Sequence, residues 1–230
     1  MSPRHAVTAL CSERVIDSYN LVHAYAAHAR ANGGIIRENC QATDGAFQAE
    51  GSAGHSHWRV NLQGADGRRD CICARAVINC AGLHGDSVEH AFLNHASFKI
   101  IPRKGDFVVL NGCSLQVPLN HIILPMPNQR TKGVLLTPTL SGHLLIGPTA
   151  VDVSDREPRS AQCDEPTAQH LLTFAREKLK LGSESVVTTY AGLRPATQQQ
   201  DYVIQARSDK NWVTVAGIRS ACCSSPPVFL

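Results

Sequence analysis

The segment WVTVAGIRS, residues 212–220, constrains this chain more than any other stretch. An apolar β run, residues 213–216, stops at Gly217. A glycine there lets the backbone pass close to a ligand because no Cβ intervenes. Arg219 and Ser220 follow at once and supply a guanidinium, a hydroxyl and backbone N–H groups for an anionic or carbonyl-rich group. A second segment, AGLRPATQQQDYVI (191–204), sets Arg194 before Pro195, which holds the arginine extended at a strand end. A third run, VINCAG (77–82), also stops in glycine. Taken alone, it is a core strand entering a turn.

The remaining patterning predicts an α/β chain with α+β character. Asp17 and Ser18 are N-cap types ahead of a stripe of Leu21, Tyr25 and Ala29, and Gly33-Gly34 stops that helix. A short strand at Ile35 and Ile36 follows. Residues 60–62 and 74–80 read as strands, the latter so continuously apolar that burial on both faces is expected. Residues 84–92 predict a short helix. From Phe98 onward, β segments are punctuated by Pro and Gly, which predicts an antiparallel sheet built of hairpins. Pro166 opens a helix with Leu171, Leu172, Ala175 and Leu179 inward, closed by Gly182. Strands resume at 186–193, 202–205 and 213–216. The strands near residues 74, 186 and 213 are expected to share one sheet.

Composition excludes several classes. With 43% hydrophobic and 18% charged residues among 230, the chain is globular rather than disordered. A net charge of +3 with scattered Lys and Arg excludes a nucleic-acid binder. No apolar run approaches the roughly 20 residues of a transmembrane segment. The opening MSPRHAVTALC has no apolar core of signal-peptide length, so the chain is expected to be intracellular, cytoplasmic or organellar, and not secreted. Nine cysteines, an odd number without paired C-x-x-C spacing, read as reduced thiols used as small buried hydrophobes rather than a metal site.

Together with VINCAG and GHLLIGPTA (142–150), the two glycine- and arginine-bearing segments resemble the FAD-dependent oxidoreductases of the D-amino-acid-oxidase superfamily. Within it they are most similar to the glycerol-3-phosphate dehydrogenase and L-2-hydroxyglutarate dehydrogenase branch. The resemblance runs from about residue 9 to residue 227. It implies part of a Rossmann-like FAD-binding domain, residues 1–95 and 201–230, interrupted by an antiparallel β-rich substrate domain, residues 96–200. Family members begin with a strand, a G-x-G-x-x-G turn and a helix whose N-terminus holds the cofactor pyrophosphate. These 230 residues contain no such turn; Gly82-Leu83-His84-Gly85 has the wrong spacing. The chain is therefore expected to be the later part of a longer family member.

The resemblance also implies roles. FAD is the cofactor, and the substrate is a small anionic 2-hydroxy compound oxidised by hydride transfer, with an amino acid as the alternative. A truncated chain that binds no FAD and turns over nothing is the competing reading. Ala42 matches a position whose backbone holds the adenine end of FAD; Ala81 and Gly82 run alongside the cofactor; Gly217, Ile218, Arg219 and Ser220 line its flavin end. Arg194 is the substrate anchor, because a bidentate fork on a carboxylate or phosphate fixes the reacting carbon. Lys104, in PRKGDF, matches a loop over flavin or substrate, although a Lys-Gly pair is also an ordinary hairpin turn. His121 is either a base near the substrate or a strand histidine satisfied by backbone. The hydroxyglutarate branch would place a histidine where Leu135 stands, which favours the glycerol-3-phosphate side. The sequence also departs from the family after Ser220, where Ala221-Cys222-Cys223-Ser224 stands in place of T-G-L-T. Nothing in the residues identifies the electron acceptor.

Overall fold

Asp17 accepts a hydrogen bond from the Asn20 N–H and caps helix α1 (Ser18–Ala31), as its sequence predicts. Among the described residues α1 buries only Val22; Tyr25 is 62% exposed, since a helical stripe is buried only where another layer crosses it. The computed structural model describes residues 15–49, 56–116, 119–125, 133–183, 185–199 and 201–219. Ile35 and Ile36 form no strand; they lie in irregular chain, and Ile35 is 84% exposed.

Three sheets follow. The first is an antiparallel meander of β1 (Cys40–Gln48), β2 (His57–Gly64) and β3 (Arg69–Ala74). Period-two alternation along β2 turns Trp58, Val60 and Leu62 to one buried face. Gly45 on β1 lets Phe92 close onto the sheet, since a Cβ there would stand 2.6 Å from its ring. The run 74–80 is not one strand: it breaks after Ala74 and resumes as β4 (Val77–Asn79). Helix α2 (Gly85–Leu93) follows after a single helical turn.

The second sheet joins β4 to the C-terminal strands β10 (Val203–Arg207) and β11 (Trp212–Ala216). Here β11 runs parallel to β4 and antiparallel to β10. Trp212, Thr214 and Asn79 lie on the buried face with Trp58 and the α2 residues Glu89 and Phe92. The expected two-sided burial fails on the other face. Ile78 and Ile204 are each 65% exposed because no described layer covers them.

The third sheet contains β5 (Ile100–Leu110), β6 (Leu135–Pro138), β7 (Leu144–Gly147), β8 (Val151–Asp152) and β9 (Val186–Thr197). It is antiparallel, as predicted, but its spine is not a local hairpin. β5 pairs with β9 along their length, Ile100 opposite Thr197 and Leu110 opposite Val186. Residue 186 therefore belongs to this sheet and not to that of β4 and β11, contrary to the sequence expectation. Lys104 and Gly105 lie in mid-strand rather than in a turn. Helix α3 (Glu165–Lys178), capped by Asp164, packs Ala168, Leu171, Leu172 and Ala175 onto Val108, Leu110, Leu136, Leu144 and Ile146. It ends before Gly182, with Leu179 at its C-cap.

The thiols also depart from expectation. Cys71, Cys73 and Cys113 are exposed; Cys40, Cys80 and Cys163 are half-buried, and Cys40 and Cys163 pack against the cores, so only some of the described thiols act as small apolar groups. Among the described residues, no helix is long and apolar enough to cross a membrane.

An ion pair ties the third sheet to α2. Arg156, after β8, donates to both carboxylate oxygens of Asp86, at 2.5 and 2.8 Å, and Asp86 also accepts from the Ile100 N–H. Burial alone would raise the Asp86 pKa; the Arg156 guanidinium and the Ile100 and Ser87 N–H groups outweigh it and hold the carboxyl below the usual carboxylate range. Its stabilising contribution is therefore complete above the unfolded-state value of about 4 and is lost as pH falls through the lower folded value. Replacing Arg156 with Met leaves that largely buried carboxylate unpaired and should lower stability by about 1–3 kcal/mol, since the arginine is partly solvated. The Asp86 pKa then rises, so acid unfolding of the variant should begin at higher pH. Urea titrations across the acid range check both effects; identical midpoints for the two proteins would refute the tie.

Candidate functional site

The parallel pairing of β4 with β11 decides where two turns meet. Thr214 stands opposite Asn79, so both strands deliver their next residues to the same edge of the sheet. At this carboxyl edge the chain turns at Gly82, φ +53°, after β4, and at Gly217, φ +72°, after β11. An open α/β sheet binds ligands in such a crevice. A Cβ on Gly82 would meet nothing within 4 Å, so open space lies over its backbone. Beneath it the buried Asn79 accepts from the Ala81 N–H and donates to the Gly85 carbonyl, which fixes the turn. Burial pushes the intervening Cys80 thiol up in pKa, so it stays protonated and is no nucleophile.

Four sequence-predicted positions thus converge: Ala81, Gly82, Gly217 and, following it, Ile218. Arg219 is drawn towards the end of β9, where its guanidinium donates to the Gln199 carbonyl. Ser220 and the Cys222-Cys223 departure lie outside the described residues. Ala42 is elsewhere, exposed in β1 beside a bulge and paired with Leu62.

The turn at residues 82–84 packs against β5 and β9, and Leu83 joins Phe98, Ile100, Val203 and Ala216 in a small core. The β5–β9 ribbon therefore abuts the glycine edge. On one ribbon face Gly105 stands opposite Gly192, with the stacked Phe107 and Tyr190 rings on one side and Arg103 and Arg194 on the other. Nothing lies within 4 Å of a Cβ on Gly192, so the floor is open at this glycine, while its partner Gly105 lies beneath Pro148 and the Arg194 guanidinium.

Arg194 leans over Gly105 and across β5. Its Nη2 donates to the Thr149 carbonyl at 2.6 Å and the Lys104 carbonyl at 3.2 Å; its Nε donates to the Arg103 carbonyl at 3.4 Å. Gly105 makes that path possible: a Cβ there would stand 3.1 Å from Nη2 and 3.0 Å from the Pro148 Cβ.

Lys104 does not join this group. Neighbouring strand residues point to opposite faces, and its ammonium lies 3.0 Å from Asp106 and donates to the Gln162 carbonyl on the α3 side. His121 is exposed in a bend rather than a strand, two residues before a bridge from Ile123 to β6. β6 stands three strand spacings from β9, about 14 Å, so the strand order does not bring His121 beside Arg194. Leu135 opens β6 opposite Gly147.

Sequence reasoning missed Asn79, Gly192 as half of a glycine pair, and Asp106. A charge in the apolar run DFVVL was the available signal for Asp106; the glycine pair needs the β5–β9 register. The fit to FAD is partial. The two positive-φ glycines and the open space at Gly82 suit a cofactor lying along the carboxyl edge. A turn for its pyrophosphate is missing from the 230-residue sequence.

Comparison with known proteins identifies the family. The family described as FAD dependent oxidoreductase (DAO) matches residues 3–227. Glycerol 3-phosphate dehydrogenase of Caloramator mitchellensis is 34% identical over 163 residues, covering 70% of this chain and 33% of that protein. Mitochondrial L-2-hydroxyglutarate dehydrogenase of Nematostella vectensis is 29% identical over 150 residues, covering 62% of this chain and 32% of that protein. The solved L-alpha-glycerophosphate oxidase of Mycoplasma pneumoniae, with FAD bound, superposes with a TM-score of 0.71 at 22% identity. That match covers 89% of this chain and 51% of the other, and shows a shared fold. The chain thus spans about a third of these curated relatives and half of the solved neighbour. Matched over nearly its whole length, the chain belongs to the FAD dependent oxidoreductase family.

Proposed function

We propose that the chain is part of a flavin-dependent dehydrogenase or oxidase of a small anionic 2-hydroxy compound, glycerol 3-phosphate first and L-2-hydroxyglutarate second. The observation that carries this is the juxtaposition of a glycine-turned carboxyl edge with a glycine-floored ribbon bearing an anchored arginine. FAD, when bound, supplies the acceptor for the hydride of the substrate's secondary C–H bond. Gly82 and Gly217 let its edge approach the backbone, and Arg219 contributes positive charge beside them. Arg194 engages the substrate's phosphate or carboxylate over the Gly105–Gly192 floor, held ready by its carbonyl partners. The general base stays unassigned among the described residues. Residues 96–200, which hold the third sheet and α3, form the substrate-binding domain; 1–95 and 201–230 form the cofactor side.

One observation favours a second, non-catalytic reading: the absence of G-x-G-x-x-G from the 230 residues. Without a helix N-terminus for the pyrophosphate, FAD should bind weakly and exchange. We expect protein mixed with FAD to emerge from gel filtration with well under one flavin per chain; stoichiometric retention would show that other residues hold the pyrophosphate. With FAD kept in excess under nitrogen, glycerol 3-phosphate should bleach the absorbance near 450 nm, a band ordinary for flavins. If neither it nor L-2-hydroxyglutarate does so, the catalytic reading fails and the non-catalytic one stands.

Arg194→Lys keeps the charge but loses the planar fork. A charge-assisted hydrogen bond contributes about 1.5–3 kcal/mol, so kcat/KM should fall roughly ten- to a hundredfold with flavin affinity unchanged. Full activity, or lost flavin binding, would remove Arg194 from the anchor role. Gly105→Ala should resemble it, because the new methyl meets the path Arg194 takes across β5. An unchanged KM in that variant would mean the guanidinium does not work from this position.

A further inference from the structure

Asp106 is only 1% exposed, on the face of β5 that also carries Val108 and Leu110 into the α3 core. Burying a carboxylate is costly unless partners surround it, and an apolar residue would serve packing alone better. Its contacts show what it does instead. The Asp106 N–H donates to Thr149 Oγ1 at 2.9 Å, and that hydroxyl donates back to Asp106 Oδ2 at 2.5 Å. The Thr149 N–H donates to the Asp106 carbonyl at 3.2 Å. Lys104 Nζ, 3.0 Å from Oδ1, supplies the countercharge. Thr149, in the loop between β7 and β8, is thereby fixed through both its hydroxyl and its backbone. What remains is its carbonyl oxygen, and that oxygen takes the shortest bond Arg194 Nη2 makes to the backbone, 2.6 Å.

We infer that Asp106 is a positioning residue for the anion-binding arginine, acting on Arg194 through Thr149. The inference rests on the reading of Arg194 as substrate anchor. The Lys104 and Arg103 carbonyls belong to β5 and hold the near side of the guanidinium; the Thr149 carbonyl holds it from across the strand. Without that third point the guanidinium can swing about the ribbon, and a fork that must meet a tetrahedral phosphate or planar carboxylate loses its orientation. Lys104 thus contributes from the opposite face, as the ammonium 3.0 Å from the Asp106 carboxylate.

The test needs no flavin. Calorimetry with glycerol 3-phosphate gives Kd for the 230-residue protein and for Thr149→Val, Thr149→Ser, Arg194→Lys and the Thr149→Val/Arg194→Lys double variant. In parallel, NMR of 15N-arginine-labelled protein follows the Arg194 Nε–H, assigned by its disappearance in Arg194→Lys. Thr149→Val, which preserves shape and removes the hydroxyl, should raise Kd about tenfold and speed solvent exchange of that N–H. Thr149→Ser should restore both. The double variant should bind no worse than Arg194→Lys alone, because the two act as one unit. Wild-type Kd and an unchanged Arg194 signal in Thr149→Val, or losses that add in the double variant, would overturn the inference while leaving the anchor intact. If Arg194→Lys itself binds as wild type, the anchor reading fails and takes the inference with it. Should Thr149→Val not fold, Thr149→Ala carries the same expectations.

Discussion

The register of β5 against β9 fixes more of this molecule than any other interaction. Pairing runs from Ile100 opposite Thr197 to Leu110 opposite Val186, across strands 11 and 12 residues long. Because side chains alternate, a slip by one residue would turn one strand over relative to the other. Gly105 would then no longer face Gly192, and either Arg194 would turn towards α3 or Asp106 would leave the core side for the open one. Tyr190 stacked on Phe107, and Val108 and Leu110 beneath Leu171 and Ala175, penalise such a slip on both faces at once. The position of one arginine side chain is thus decided by packing spread over the whole strand.

The second arrangement is set by aromatic packing. Trp58, Phe92 and Trp212, from β2, α2 and β11, meet with ring centroids 5.4–5.9 Å apart. Tilted aromatic contacts at this separation add to the burial of large apolar surfaces. Polar atoms in this cluster are satisfied. Trp58 donates to the Lys210 carbonyl, Trp212 to Thr214, and Thr214 to Glu89, whose other oxygen accepts from Ser97. Such a cluster locates β11 along the sheet as well as within it. With β11 held, its pairing to β4 brings Gly82 and Gly217 to one edge.

Local signals in the sequence carried most of the elements. The Asp17 cap, the proline start at 166, the strand at 60–62 and the glycine stops at 82 and 217 all have short-range causes, and the corresponding elements are present. What stayed hidden depends on partners distant in the chain. The apolar run 74–80 looks two-sidedly buried, but Ile78 is covered only if another layer lies over it. Lys104-Gly105 has turn chemistry, and a partner strand some ninety residues away overrides it. Residue 186 joins the third sheet for the same reason. Among candidate site residues, the backbone-acting glycines were legible because glycine itself is the signal. The network of Asp106, Thr149 and Arg194 was not, since residues from β5, the β7–β8 loop and β9 meet only once β5 is paired with β9.

The two halves of the site differ in what they need from the rest of the protein. The ribbon half is self-sufficient: its floor, its arginine and the three carbonyls that hold the guanidinium all lie within residues 103–194. An anion could be recognised there by charge-assisted hydrogen bonds without any cofactor. The glycine edge is different, because open space over Gly82 and a left-handed turn at Gly217 permit close approach but supply little attraction. Attraction for a pyrophosphate comes from converging N–H groups at a helix N-terminus preceded by a glycine turn. On the proposed function, substrate recognition and cofactor recognition are therefore separable in sequence: the ribbon would carry the chemistry that selects an anion, and the parallel-sheet edge the clearance a flavin requires.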